Sequence, residues 1–98
     1  MIDVEKHLEY WTVNASQDFE FAEEILLNGR IEPGLFWLHL SIEKMLKAHV
    51  TKVTRKTPPK IHNLVILSEE AELSVTKDQL HLFARLNRFQ IIAQFPWK

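Results

Sequence analysis

The sequence predicts an all-α domain of four helices, and three observations indicate it. Glycine occurs only at positions 29 and 34 and proline only at 33, 58, 59 and 96, so these helix-interrupting residues divide the chain into four segments. Within the segments, apolar residues recur at spacings of three and four, which is the period of an α-helix. No segment shows the sustained alternation that is typical of a strand. We expect one domain spanning residues 1–98, because this length supports a single modest core.

The first helix is predicted from about residue 3 to residue 28. Asp3 is a suitable N-cap residue, and Asn28 with Gly29 favours an end to the helix, because glycine readily adopts the left-handed conformation. The apolar stripe consists of Val4, Leu8, Trp11, Ala15, Phe19, Ala22, Ile25 and Leu26.

The second helix is predicted to begin near Pro33 and to end by Arg55 or Lys56, before a pair of prolines. Its N-terminal half is apolar almost all round, whereas its C-terminal half is amphipathic and basic. Such a helix is expected either at the centre of a bundle or partly buried by a second subunit.

The third helix is predicted from about residue 59 to residue 71, and the fourth to about residue 91. Thr76 and Gln79 form a capping-box pattern at the start of the fourth helix, since each side chain can bond the backbone amide of the other. The fourth helix is apolar on two sides, which predicts that it is sandwiched within the monomer or between subunits.

Several classes of function lack their sequence signals. The chain has no cysteine, which excludes disulfides and thiolate chemistry. It has no glycine-rich phosphate loop, no nucleophile elbow and no HExxH motif, so we expect no metal and no cofactor. An apolar run long enough for a membrane span and a signal-peptide pattern are both missing, so we expect no membrane association and a cytoplasmic location.

The charges are unevenly distributed along a chain of formal net charge -1. Residues 1–43 contain nine acids but only Lys6 and Arg30 as bases, whereas residues 44–68 contain six Lys or Arg and no acid. Charge blocks often only complement each other as solvated helix faces, and the functional alternative is an anion-binding end. The candidate residues for contact with an anion or nucleotide are Lys44, Lys47, Lys52, Lys60 and His62.

Four polar residues interrupt the apolar stripes of the predicted helices. His39 and Glu43 are one helical turn apart and can touch, while Asp18 and Asn87 interrupt the first and fourth stripes. If these helices face one another, Asp18, His39, Glu43 and Asn87 share one polar layer. A structural, hydrogen-bonded layer is the favoured interpretation, and a His–carboxylate base or ligand is the alternative.

The order of several short segments is similar to that of one family. The segments are Tyr10-Trp11, residues 15–19, Ala22-Glu23, residues 27–29, LFWLHLSIEKMLKA at 35–48, His62-Asn63-Leu64, Leu86-Asn87 and Phe95-Pro96. In this order they resemble HEPN domains over nearly the whole chain. The resemblance implies an up-and-down antiparallel bundle of four main helices, commonly dimeric.

The resemblance also implies two possible functions. Many HEPN proteins are encoded beside a minimal nucleotidyltransferase in two-component systems that resemble toxin–antitoxin pairs, and some are metal-independent ribonucleases with an Arg-x4–6-His motif near the last long helix. In this chain no histidine follows Arg85 or Arg88, and Gln94-Phe95-Pro96 stands where relatives often have Arg-Tyr-Pro. We therefore predict a non-catalytic module that binds a nucleotide or a nucleotidyltransferase partner, with a ribonuclease toxin as the alternative.

Two expectations concern assembly. Relatives usually continue into a fifth helix, which is absent or truncated in this sequence. We also predict a homodimer, because six apolar residues of the second and fourth helices exceed what a short four-helix monomer is expected to cover. These residues are Phe36, Trp37, Leu40, Leu82, Leu86 and Phe89.

Overall fold

The computed structural model of the chain describes residues 2–94, with the side chains of residues 2–89. It contains four α-helices and no strand in that part of the chain, which confirms the prediction of an all-α helical bundle. The helices are α1 (Val4–Leu27), α2 (Ile31–Thr54), α3 (Leu64–Glu70) and α4 (Lys77–Gln94). The Phe95-Pro96 segment lies outside the described residues, and the expectation about a fifth helix stays a prediction.

The helices α1 and α2 form a hairpin joined by residues 28–30. The Asp3 side chain caps α1 by accepting from the Lys6 amide at 3.2 Å. Gly29 ends α1 with a φ of 79°, in the region that glycine adopts without strain. α2 begins at Ile31, two residues before the predicted Pro33. Pro33 is tolerated in the first turn because the amide that proline lacks would have no intrahelical partner there.

The second helix is the centre of the fold. Within residues 2–94, α1 packs on α2 alone, while α3 and α4 pack on α2 and on each other. This arrangement explains why the N-terminal half of α2 is apolar almost all round, since it has neighbours on two sides. The main buried core lies between α2, α3 and α4, and its residues are Leu46, Val50, Leu64, Leu67, Ala71 and Leu86.

The predicted start of α3 at residue 59 is wrong, because the helix begins at Leu64. The preceding residues 57–59, which include both prolines, have no regular secondary structure. Asn63 then caps α3, and its Oδ1 accepts from the amides of Val65 at 2.9 Å and Ile66 at 3.2 Å. A side-chain cap therefore fixes the start of this helix, and the prolines lie in the connection before it.

The capping box at the start of α4 is confirmed. The Thr76 hydroxyl accepts from the Gln79 amide at 3.1 Å, and the Gln79 side-chain oxygen accepts from the Thr76 amide at 2.9 Å. α4 continues to Gln94, three residues beyond the predicted end. None of the helices described is long and apolar enough to cross a membrane.

The apolar surface differs from the set predicted for a dimer interface. Leu86 is only 2% exposed and belongs to the core, so its assignment to an exposed surface was wrong. Phe36, Trp37, Leu40 and Phe89 are partly buried, and Leu82 is 46% exposed. Leu82 is therefore the member of the set that is most available to a second subunit.

Candidate functional site

A buried carboxylate, Glu43, is the centre of a polar network on α2. Glu43 is 4% exposed, and its Oε2 accepts hydrogen bonds from Lys47 Nζ and from His62 Nδ1, both at 3.0 Å. Because an ionised carboxylate only accepts, we assign the proton of this contact to His62 Nδ1. Lys47 neutralises the buried charge, and His62 connects the α2–α3 loop to α2.

His39 holds the same loop from its other side. It is 1% exposed, its Nε2 lies 3.0 Å from the His62 carbonyl oxygen, and its Nδ1 lies 3.8 Å from Glu43 Oε1. A carbonyl oxygen only accepts, so Nε2 donates this bond. Burial lowers the pKa of His39 below its ordinary value, and this desolvation outweighs the opposing effect of Glu43. A neutral ring enclosed in this way fits a structural role.

Two asparagines connect α4 to the beginning of α3. Asn87 Oδ1 accepts from the Leu64 amide at 2.9 Å, and Asn87 Nδ2 donates to Asn63 Oδ1 at 3.1 Å. Asn87 thus satisfies one of the amides that a helix start leaves without an intrahelical partner. With Glu43 and His39, it fixes residues 62–64 by side-chain hydrogen bonds from two helices.

Asp18 belongs to a different set of contacts from the other members of the predicted polar layer. Its carboxylate forms an ion pair with Lys44 Nζ at 2.6 Å, with both side chains largely buried. Successive residues of a helix point about 100° apart, so Lys44 reaches α1 while Glu43 reaches the loop. The structure thus brings His39, Glu43 and Asn87 around residues 62–64 and places Asp18 with Lys44.

The predicted anion-binding residues divide into engaged and exposed groups. Lys44 is paired with Asp18, Lys47 with Glu43, and His62 uses Nδ1 for Glu43 while its side chain remains 51% exposed. Lys52 and Lys60 are exposed.

Two further exposed cations, Arg55 and Lys56, lie between Lys52 and Lys60. We call the four exposed residues Lys52, Arg55, Lys56 and Lys60 the basic loop. Among the side chains that the structure describes, none of the four forms an ion pair. The sequence showed all of these cations in one run, and only tertiary contacts reveal which are already neutralised.

A cleft that no sequence motif indicates lies beside the basic loop. It has a volume of 430 Å³ and is lined by Lys6, His7, Tyr10, Trp11 and Thr57, which we call the aromatic cleft. The Tyr10 and Trp11 rings meet edge to face with centroids 5.0 Å apart. The adjacent aromatic pair was visible in the sequence, but its proximity to Thr57 follows only from the fold.

A second depression lies between α1 and the α3–α4 region. This apolar groove has a volume of 560 Å³, and its walls include Phe19, Met45, Leu73 and Phe83. It is separate from the polar network, because neither Glu43 nor its partners Lys47 and His62 line it. Most of its walls are apolar, and Ser16, Glu20, Ser41 and His49 add polar groups.

The polar groups of the described residues allow ion binding and limited proton transfer. Within that part of the chain, no group of three or more His, Asp or Glu side chains is arranged to hold a metal ion. His62 is the one member of the Glu43 network whose ring is half exposed, so its Nε2 is the candidate for proton transfer. Arg85 and Arg88 are exposed on α4.

Comparison with known proteins agrees with this architecture. A family model described as "HEPN domain" matches residues 8–97, nearly the whole chain. No curated protein and no solved structure matches significantly. With its four-helix architecture and this match, the chain belongs to the HEPN domain family.

Proposed function

We propose that this protein is a non-catalytic HEPN module that binds the phosphates of a nucleotide or RNA through the basic loop. The observation that carries the proposal is the concentration of four exposed cations within residues 52–60, none of them in an ion pair with a described carboxylate. Lysines act on phosphate as point charges, and an arginine adds planar, two-pronged hydrogen bonding.

The connection after the basic loop is held in place, which supports this proposal. Glu43 holds the His62 ring and His39 holds the His62 carbonyl group, while Asn87 and Asn63 fix the following helix start. A segment that is ordered before binding loses less conformational entropy when a ligand arrives. We therefore expect the buried network to act on binding indirectly, by holding the end of the connection that contains Lys60.

The ion pairs determine which of the predicted residues are available to contact a phosphate. Lys44 and Lys47 already neutralise buried carboxylates, and releasing either would leave an unpaired buried charge. We therefore assign phosphate contact to Lys52, Lys60 and their neighbours Arg55 and Lys56, and we assign a supporting role to His62.

The proposal includes a partner and an assembly. Membership of the HEPN family supports a role beside a minimal nucleotidyltransferase in a two-component system that resembles a toxin–antitoxin pair, since many members are encoded in that way. We propose that the protein is a cytoplasmic homodimer in that setting. Copurification of the two proteins from cells that express both genes tests the pairing, and separate elution at matched concentrations would contradict it.

A ribonuclease toxin is the second candidate, and the Glu43–His62 hydrogen bond favours it. A carboxylate that orients one ring nitrogen leaves the other free to accept a proton, as in many acid–base sites. In such a reaction His62 would take the proton of an RNA 2′-hydroxyl, the 2′-oxygen would attack phosphorus, and the 5′-oxygen would leave with a proton from water.

Binding and cleavage of a labelled single-stranded RNA distinguish the two candidates. Fluorescence anisotropy should show binding that Lys56→Glu weakens several-fold, whereas Lys77→Glu, at an exposed lysine on α4, leaves it unchanged. Gel analysis should show intact RNA after prolonged incubation. Cleavage that His62→Ala abolishes would establish the ribonuclease, and equal binding by both lysine variants would refute the basic loop as the site.

A further inference from the structure

The aromatic cleft adjoins the basic loop at Thr57. Thr57 lines the cleft, and it directly follows Lys56 in the chain. Lys60, another residue of the basic loop, lies three positions further on. A ligand whose phosphates contact the loop therefore has this cleft within reach of its remaining groups.

The lining of the cleft suits a flat, polar ring. Tyr10 is 57% exposed although it is a large aromatic side chain, so most of its ring is open to a ligand. Aromatic side chains stack on nucleobases of any sequence, because every base has a π-face. The volume of 430 Å³ also falls within the usual range for small-molecule sites, about 300–1,000 Å³.

The polar groups of the cleft can bond the edges of such a ring. His7 Nδ1 donates to the Asp3 carbonyl oxygen at 3.2 Å, which leaves Nε2 available to a ligand. Lys6 supplies a hydrogen-bond donor, and the Thr57 hydroxyl can both donate and accept a hydrogen bond. Glu9 lines an adjoining depression, which shares Lys6 and Tyr10 with the aromatic cleft, but it does not line the cleft itself.

We propose that the aromatic cleft binds the nucleobase of the nucleotide or RNA whose phosphates contact the basic loop. This inference rests on the proposed function, because the phosphates are assigned to Lys52, Arg55, Lys56 and Lys60. Tyr10 stacks on the base, and His7, Lys6 and Thr57 bond its edge. The apolar groove includes the carboxylate of Glu20, which would repel phosphates, and no residue of positions 55–60 lines it.

Two ligands that carry the same phosphate chain, one with a nucleobase and one without, distinguish the affinity due to the base from the affinity due to the phosphates. Calorimetry at fixed low salt and without divalent ions compares adenosine triphosphate with inorganic tripolyphosphate. We expect adenosine triphosphate to bind about tenfold more tightly, which is the scale of one stacked base. Tyr10→Ala should remove this advantage while leaving the tripolyphosphate affinity unchanged.

Two control variants make the comparison specific. Tyr10→Phe keeps the ring and should keep most of the advantage. Phe19→Ala removes another exposed α1 aromatic residue, which lines the apolar groove, and should change neither affinity. Thermal melting verifies that each variant is folded.

The outcomes distinguish this inference from the proposed function. Equal affinity of the parent protein for the two ligands would overturn the base-binding cleft and leave phosphate binding intact. An equal loss of both affinities in Tyr10→Ala would also overturn it. Failure of both ligands to bind would refute the proposed function together with this inference.

Discussion

At the scale of single residues, the fold depends on one buried carboxylate and its two partners. Glu43 is almost fully buried and is bound by Lys47 and His62, each at 3.0 Å. A buried charge is tolerated when it is paired and hydrogen-bonded, and removal of one partner leaves the other uncompensated. Removing any one of these groups is therefore expected to cost more stability than the intact network contributes to the folded state.

Glu43→Gln should destabilise the protein by about 3–5 kcal/mol, because Lys47 would remain buried without an opposite charge. Urea unfolding followed by circular dichroism measures the change. The control is Glu69→Gln at an exposed position on α3, which should stay within about 0.5 kcal/mol of the parent. A Glu43→Gln variant as stable as the parent would contradict the role assigned to this carboxylate.

Stability should fall as the pH is lowered from 7 through the ordinary His value of 6.5 towards the depressed pKa of folded His39. The unfolded chain protonates at His39 in this window while the folded protein does not, so protons favour unfolding. His39→Gln should reduce this dependence and cost about 1–3 kcal/mol at pH 7, with RNA binding retained by the folded protein.

Urea unfolding at a series of pH values tests the prediction, with His81→Gln at an exposed position as the control. A pH dependence that His39→Gln leaves unaltered would be inconsistent with the assignment. A variant that melts like the parent but loses all RNA binding would instead make His39 a residue of the binding site.

At the scale of helices, the α1–α2 hairpin depends on close approach at Gly34. A Cβ atom added there would lie 2.5 Å from Leu26 Cδ2 and 3.3 Å from the Leu26 backbone nitrogen. Alanine favours a helix by about 1 kcal/mol over glycine, but the crowding opposes this gain. Gly34→Ala should therefore destabilise the protein by about 1–3 kcal/mol, the usual range for an overpacked contact.

A double-mutant cycle with Leu26→Ala isolates the crowding, since the shorter side chain makes room for the new methyl group. The double variant should be more stable than the sum of the single changes predicts, as measured by thermal unfolding. Simple additivity would mean that the two helices have space at this crossing.

The elements that the sequence predicted well are those with strong local signals. The apolar stripe and Asp3 located α1, and the Thr76–Gln79 pair located the start of α4. The start of α3 was missed because Asn63 and Asn87 define it, and Asn87 is distant in sequence. The local pattern could not show this partnership.

The candidate site was predictable only in part, for the same reason. The run of basic residues was evident from the sequence. The neutralisation of Lys44 by Asp18 and of Lys47 by Glu43 was not, because it depends on the side of α2 where each lysine lies and on what packs against that side. The contact of His62 with Glu43 spans nineteen residues of sequence. Thr57 and Tyr10 face one cleft, but they belong to separate segments, and no local pattern indicates that these segments meet.

At the scale of the whole molecule, the exposed apolar surface supports association. α1 packs only on α2 within residues 2–94, and exposed apolar residues remain on α1 and α4. We predict a homodimer at tens of micromolar, an order-of-magnitude choice from the affinity scale. Leu82→Glu should weaken the dimer because Leu82 is the most exposed of the predicted interface residues.

Light scattering coupled to size exclusion measures the mass of each variant. Ile66→Glu, at an exposed residue on α3, serves as the control and should remain dimeric. Leu86→Ala should instead lower stability, by about 2–5 kcal/mol, because Leu86 fills the core. A monomeric parent protein would contradict the assembly.

The salt dependence of RNA binding is the most direct test of phosphate contact by the basic loop. If Lys56 and Lys60 each contact a phosphate, the Lys56→Glu and Lys60→Glu double variant should bind more weakly. The slope of log Kd against log salt should be shallower by about two than in the parent, roughly one for each lost phosphate contact. A parent protein whose RNA affinity does not change with salt, or a double variant with the parent's slope, would contradict phosphate binding by the basic loop.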